Sequence, residues 1–141
     1  MFVACQLASE LDFTVCAALP SFHAFTGCDS TSAFVRKGKT PFKLLCKSQP
    51  AIGAFPILGT TANIVDESTY LNIEQFVCSM YGKPSYLDVN KLRCETFRSR
   101  YDCNPTQTGI HIHNGIDISL LPPCRTALRK HCQRVNYQAY I

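Results

Sequence analysis

The apolar residues of this chain recur at the three- and four-residue spacing of helices, and the strict alternation typical of strands is rare. Residues 13–27, "FTVCAALPSFHAFTG", place apolar side chains on a helix-compatible face and stop at Gly27, a common residue after a helix end. The clearest pattern, in residues 66–82, predicts a helix whose buried face holds Leu71, Phe76, Val77 and Met80. The chain is therefore predicted to be mainly α-helical.

Two short elements are predicted between these helices. Thr40 is a candidate N-cap, and Pro41 fits the first turn of the helix that would follow it. Residues 49–59 fit a short helix or turn that Gly53 and Pro56 interrupt.

Two further helices are predicted in the second half of the chain. Asp88 is expected to cap one of them, with an inward face of Val89, Leu92 and Phe97. The other begins at Pro122 and Pro123 and has an inward stripe of Leu128, Cys132, Val135 and Ala139. Between them, residues 101–120 fit either a small hairpin around Asn114-Gly115 or a flexible loop, and we favour the loop.

The length and composition indicate one soluble helical domain spanning residues 1–141. A chain of 141 residues with 46% hydrophobic residues can form one core, and a second core is not expected. No apolar run approaches the roughly eighteen residues that a membrane span requires. The nine cysteines lie in apolar stripes such as "EQFVCSMY" and "LRKHCQRV", and no cationic leader precedes them. They are predicted to be reduced and mostly buried, in a nuclear or cytoplasmic protein.

The charge distribution draws attention to the segment 19–47. The chain has 14 Lys and Arg against 10 Asp and Glu, and no acid interrupts the cations that follow residue 35 in this segment. A helix start flanked by lysines suits a phosphate group, because unpaired backbone N–H groups and the helix dipole both favour an anion. The candidate residues for binding a nucleic-acid backbone are Arg36, Lys37, Gly38, Lys39 and Lys43.

Two blocks of sequence carry a resemblance. "LPSFHAFTGCDSTSAFVRKGK" (19–39) and "LPPCRTALRKHCQRVNYQA" (121–139) resemble a family of uncharacterised, transposon-associated eukaryotic proteins. The first block is also distantly similar to the PIN-like and flap endonuclease superfamily, in which an Asp of the metal site precedes a helix-turn-helix clamp on DNA. The matching residues are Gly27, Asp29, Gly38, Lys39, Lys43, Leu44 and Leu45.

This resemblance implies a fold, a cofactor and a reaction. The chain would be the C-terminal part of a PIN-like α/β nuclease, inactive alone, in a protein that hydrolyses phosphodiesters with Mg²⁺ or Mn²⁺. Asp29 would be one ligand of that metal, since such hard cations need several oxygen ligands. The expected partner is DNA, bound without sequence preference.

Simpler interpretations compete with these. Asp29 precedes Ser and Thr residues at an expected helix start and could serve only as an N-cap, and His23 lies in an apolar run that suits a core or boundary position. Structural zinc is disfavoured, because no CxxC or HxxxH pair occurs among Cys94, Cys103, His111, His113, Cys124 and His131. The alternative function is a non-catalytic helical module that binds a protein partner.

Overall fold

The computed structural model describes residues 12–28, 33–60, 65–100 and 117–141, and these ranges are helical, with no β-strand among them. The mainly helical class is thus confirmed. The α-helices are α1 (Phe13–Thr26), α2 (Thr40–Leu45), α3 (Gln49–Ala54), α4 (Glu67–Met80), α5 (Val89–Arg100) and α6 (Arg125–Tyr140). Two short 3-10 helices, Phe55–Ile57 and Ile118–Leu120, follow α3 and precede α6.

Short polar side chains fix several helix ends as expected. The Asp66 carboxylate accepts hydrogen bonds from the Ser68 hydroxyl, from the Thr69 hydroxyl and, at 3.0 Å, from the Thr69 N–H. These bonds lower the pKa of Asp66 to about 2. Asp88 accepts from the Asn90 N–H at 2.8 Å, so the predicted cap of α5 is confirmed.

The end of α1 explains why Gly27 occurs there. Its φ of 124° is a conformation that side chains disfavour, and its N–H donates to the His23 carbonyl at 3.2 Å. A Cβ at this position would lie 2.6 Å from the Cβ of Ala33, so the close approach of the following segment also requires glycine.

Three local predictions need correction. Thr40 is the first residue of α2 and not its N-cap; the cap is Lys39, which makes no side-chain capping bond. Leu71 is 49% exposed, whereas its predicted partners on α4 are buried, because Leu71 lies two residues, a little over half a turn, from the buried Ile73 and so faces away from the core. His23 is exposed on α1, and the buried histidine is His131.

Phenylalanine rings occupy the centre of the core. The Phe55 ring, in the first 3-10 helix, meets Phe22 and Phe76 edge to face, with centroids 5.5 and 5.4 Å away. Phe25 lies 5.3 Å from the same ring. One aromatic cluster therefore joins α1, α4 and the element between them.

Helix α6 closes this core and runs antiparallel to α1. Near the end of α1, the buried His131 contacts Phe25. Further along α6, the side-chain oxygen of Asn136 accepts from the Gly59 N–H at 2.8 Å. The carbonyl of Leu58, the residue before Gly59, accepts a hydrogen bond from the Ser21 hydroxyl at 2.8 Å. Ser21 lies one turn before Phe25 in α1, so the two helices run in opposite directions.

A buried carboxylate fixes the N-terminal end of α6. Glu74 of α4 is fully buried and accepts from the Val89 N–H at 2.9 Å and from the Arg125 guanidinium at 3.1 Å. Arg125 also lies 3.3 Å from Asp88, and its N–H donates to Asn90 at 2.8 Å. This charged group binds the starts of α5 and α6 to the middle of α4.

The cysteine prediction is partly wrong. All seven described cysteines are free thiols, but only Cys78 and Cys132 are buried; Cys46, Cys94 and Cys124 are exposed. The two buried residues belong to the two apolar stripes quoted above. Burial raises the pKa of the Cys78 and Cys132 thiols to about 11 and about 12, which makes them poor nucleophiles.

Candidate functional site: a basic cleft beside α6

An open cleft of about 350 Å³ lies beside α6. Its walls come from the segment before α2, from the end of α4, from α5, from the second 3-10 helix and from α6. Among the described residues the lining is Ala33, Phe34, Val35, Tyr81, Arg93, Ile118, Ser119, Leu121, Pro123, Ala127, Leu128, His131 and Arg134. These described lining residues are mostly apolar and include no carboxylate. We call the site the basic cleft because of the cations described below.

The segment before α2 is anchored by Phe34. The Phe34 ring packs 5.1 Å from Phe25 and 5.6 Å from His131, so it connects this wall to the core. The chain then turns sharply through Arg36 and Gly38, whose φ angles are 57° and 53°, in the left-handed region. Arg36 directly follows Val35, the last residue of this segment that lines the cleft.

Lys37 is held against an aromatic side chain. Its ammonium lies 3.6 Å from the centre of the Tyr81 ring, a short cation–π contact. Burial, and then the charge of Arg100, lower the pKa of Lys37. Arg100, at the end of α5, is therefore close to the same wall.

Two cations line the cleft, and three more lie close to residues of its walls. Arg93 and Arg134 line it directly, and Arg93 donates a hydrogen bond to the Pro122 carbonyl. Lys37 lies on the ring of Tyr81, which lines the cleft. Arg36 and Arg100 lie near Asp117, the residue before Ile118: hydrogen bonds from Ser119 lower the pKa of Asp117 most, and these two charges lower it further. We call this set the cleft cations: Arg36, Lys37, Arg93, Arg100 and Arg134.

His131 forms part of the floor and is held neutral. Its Nε2 lies 2.8 Å from the Phe25 carbonyl, which can only accept, so Nε2 carries the proton. Burial is the main cause of its lowered pKa, and the charge of Arg134 lowers it further. His131 therefore supports the cleft as an uncharged ring.

The structure brings only some of the predicted binding residues to the basic cleft. Arg36 and Lys37 lie at the basic cleft, whereas Lys39 and Lys43 are exposed near α2, a helix of six residues. Asp29 lies outside the described residues, as does most of the predicted loop 101–120, apart from the 3-10 helix Ile118–Leu120. Of the predicted phosphate-binding hairpin, residues 33–39 form turns and residues 40–45 form α2, whereas residues 29–32 lie outside the described residues.

The described ranges supply no group of three or more His, Cys, Asp or Glu side chains that could hold a metal ion. Of the residues considered for zinc, Cys94 and Cys124 are exposed, and His131 is bonded to a backbone carbonyl. The remaining three lie in 101–116, which the structure does not describe.

Sequence reasoning missed Arg93, Arg100 and Arg134. A signal for Arg134 was present: α6 contains Arg125, Arg129, Lys130 and Arg134 but no Asp or Glu. An acid-free cationic helix indicates that its charges are balanced by other segments or remain available for an anionic partner. The sequence alone could not show which of these applies to each residue.

Comparisons of the chain with protein-family models, with curated proteins and with solved structures found no match. Within the described part of the chain, no helix is both long and apolar enough to cross a lipid bilayer.

Proposed function

We propose that this protein binds nucleic acid by its phosphate backbone at the basic cleft. The observation that supports the proposal is a set of five cations from three separate segments. Arg93 and Arg134 line the cleft, and Lys37 lies against its Tyr81. Arg36 and Arg100 lie near Asp117, the one described carboxylate next to the lining residues Ile118 and Ser119, so the described cations here outnumber that acid. Four of the five are arginines, whose planar guanidinium groups can hold phosphate oxygens in pairs. The expected binding is independent of sequence, because phosphate contacts carry no base information.

The proposal concerns binding and not hydrolysis. The phosphodiester hydrolysis that the PIN-like resemblance implies would require several oxygen ligands around Mg²⁺ or Mn²⁺. Asp29 is the ligand that this resemblance implies, and it lies outside the described residues.

Salt dependence tests the proposal, since each phosphate contact releases bound counterions. Replacing Arg36, Arg100 and Arg134 together with Gln should flatten the slope of log K against log salt by about two to three units. These side chains make no ion pair within the described ranges, so the variant should still fold. Fluorescence anisotropy of a labelled oligonucleotide measures the slope, and urea unfolding checks stability.

A matched control removes the same charge elsewhere. Lys39, Lys43 and Lys47 are exposed and do not line the cleft, and their replacement with Gln should leave most of the slope intact. If this control flattens the slope as much as the cleft variant, the cleft is not the site. If the wild-type protein shows no binding at low salt, the proposed function is wrong.

A second candidate function is docking on a protein partner, favoured by a separate apolar surface. Phe13, at the start of α1, is 84% exposed. Tyr140 and Ile141, at the C-terminal end of α6, are 52% and 80% exposed. The antiparallel packing brings these residues to the same end of the molecule. If another copy of the chain docks there, sedimentation velocity should show a concentration-dependent dimer that Phe13→Ser weakens. Failure of Phe13→Ser to change the sedimentation would contradict this role.

A further inference from the structure

We infer that the nucleic acid bound at the basic cleft is single-stranded, with one unpaired base inside the cleft and the next base against Tyr137. This inference rests on the proposed function and adds the substrate class. It depends on features that phosphate binding alone does not require: an apolar interior, and an exposed aromatic ring beside it.

The interior of the cleft suits a base better than a phosphate. Val35, Ile118 and Leu121 line it together with the rings of Phe34 and Tyr81. Its volume of about 350 Å³ is within the usual range of sites for small, flat ligands, about 300–1,000 Å³. A charged phosphate gains nothing from such walls, whereas a base loses water-exposed surface and can stack on aromatic rings.

A second depression continues from the cleft along α6. It is lined by Lys130, Gln133, Arg134, Tyr137 and Gln138. Arg134 lines both depressions and therefore lies between them. A cation between an apolar cleft and an exposed tyrosine matches the alternation of base, phosphate and base along one strand.

Tyr137 is suited to stacking because it is exposed and lies one turn from Arg134. Its side chain is 63% exposed, although the same helix buries Leu128, Cys132 and Val135. Base stacking on an aromatic side chain is tolerant of sequence and is a common feature of single-strand binding. Lys130 adds a further charge to this depression.

A duplex cannot use these features. Its bases are stacked and paired inside the helix, so that the phosphates reach the rim while the apolar interior of the cleft stays empty. The structure therefore predicts a preference for single strands over duplexes of the same length.

Three probes of equal length separate the possibilities: an oligothymidylate, a duplex, and an abasic oligonucleotide that keeps the phosphates but has no bases. We expect the oligothymidylate to bind about fivefold or more tightly than the abasic strand and the duplex, because only it offers unpaired bases. Equal affinity for the oligothymidylate and the abasic strand would overturn the inference while leaving phosphate binding in place. Absence of binding to all three would instead overturn the proposed function.

A matched pair of variants tests the cleft itself. Ala127 is exposed and lines the cleft, so Ala127→Phe should fill it without entering the core. Thr126 is its exposed neighbour and does not line the cleft, so Thr126→Phe adds the same ring outside it. Ala127→Phe should lower oligothymidylate affinity to the level of the abasic strand, and Thr126→Phe should not. If Ala127→Phe leaves oligothymidylate binding unchanged, no base occupies the cleft.

Tyr137 is tested by substitution and rescue. Tyr137→Ala should weaken oligothymidylate binding about fivefold or more and leave binding of the abasic strand unchanged, and Tyr137→Phe should restore it because the ring is retained. An equal loss for both probes would show that Tyr137 contacts the backbone and not a base, which contradicts its assigned role.

Discussion

Both halves of α6 contain arginines, but the two halves use them differently. In the first half, Arg125 pairs with the buried Glu74, and Arg129 lies 2.6 Å from Glu67. In the second half, Arg134 forms no ion pair within the described ranges and faces the basic cleft. The same residue type therefore stabilises the fold at one end of a helix and is available to a ligand at the other. Arg125 and Arg129 differ from Arg134 because α4 presents a carboxylate to each of them.

The strongest test of the first half is removal of the buried carboxylate. Glu74→Ala leaves Arg125 and the Val89 N–H without this acceptor, and breaking a buried pair commonly costs about 3–5 kcal/mol. Because Arg125 is partly exposed and keeps Asp88, we expect about 3 kcal/mol of lost stability. Urea unfolding measures it without adding salt.

Glu67→Ala is the matched control, since it removes the acid that pairs with the other arginine of this half. Both partners of that pair are exposed, so the loss should stay within about 1 kcal/mol. If both variants lose the same stability, the buried pair has no special role in holding α6.

The second half is tested by removing its unpaired cation. Arg134→Gln should change the free energy of unfolding by no more than about 0.5 kcal/mol, because the side chain is exposed and has no described ion pair. It should also flatten the salt dependence of single-strand binding by about 0.7 units, the value expected for one phosphate contact. A loss of stability similar to that of Glu74→Ala would remove the contrast between the halves of α6.

The smallest expected effect concerns His131, which lies between the two halves. Burial lowers its pKa in the folded state, whereas the unfolded chain should titrate near 6.5. As the pH falls below about 6.5, the unfolded state takes up a proton that the folded state accepts only at lower pH, so stability falls. His131→Gln can still donate to the Phe25 carbonyl but does not titrate, and it should lose this part of the pH dependence. His23→Gln, at an exposed site, should keep the pH dependence of the wild type. Identical profiles of stability against pH in the wild type, His131→Gln and His23→Gln would refute the role of His131.

Local signals predicted the helix ends well. Asp88 and Gly27 act within a few residues of chain, and their effect depends little on the rest of the fold. Thr40 was wrong as a cap because α2 already begins at Thr40, after a turn through Arg36 and Gly38, and the preceding Lys39 makes no side-chain capping bond.

The burial of polar residues could not be predicted in the same way. His23 is set among apolar neighbours and His131 among polar ones, yet only His131 is buried, because it faces α1 across more than a hundred residues of sequence. Glu74 likewise lies in a polar part of α4 and is buried because Arg125 reaches it. Such positions depend on long-range packing, and for the same reason only two of the five cleft cations were predicted.

The contacts of α6 also affect the order in which the protein can form during synthesis. Bonds from Arg125, His131 and Asn136 reach residues 51, 106 and 77 positions earlier in the chain. Until the ribosome has released residues 125–140, the phenylalanine cluster of α1 and α4 lacks its covering helix, and its apolar surface is exposed to other chains. Translation proceeds at about 5–20 residues per second, so this interval is long compared with the closure of a helix onto its neighbours. The nascent chain is therefore most prone to aggregation, and most in need of a chaperone, just before α6 emerges.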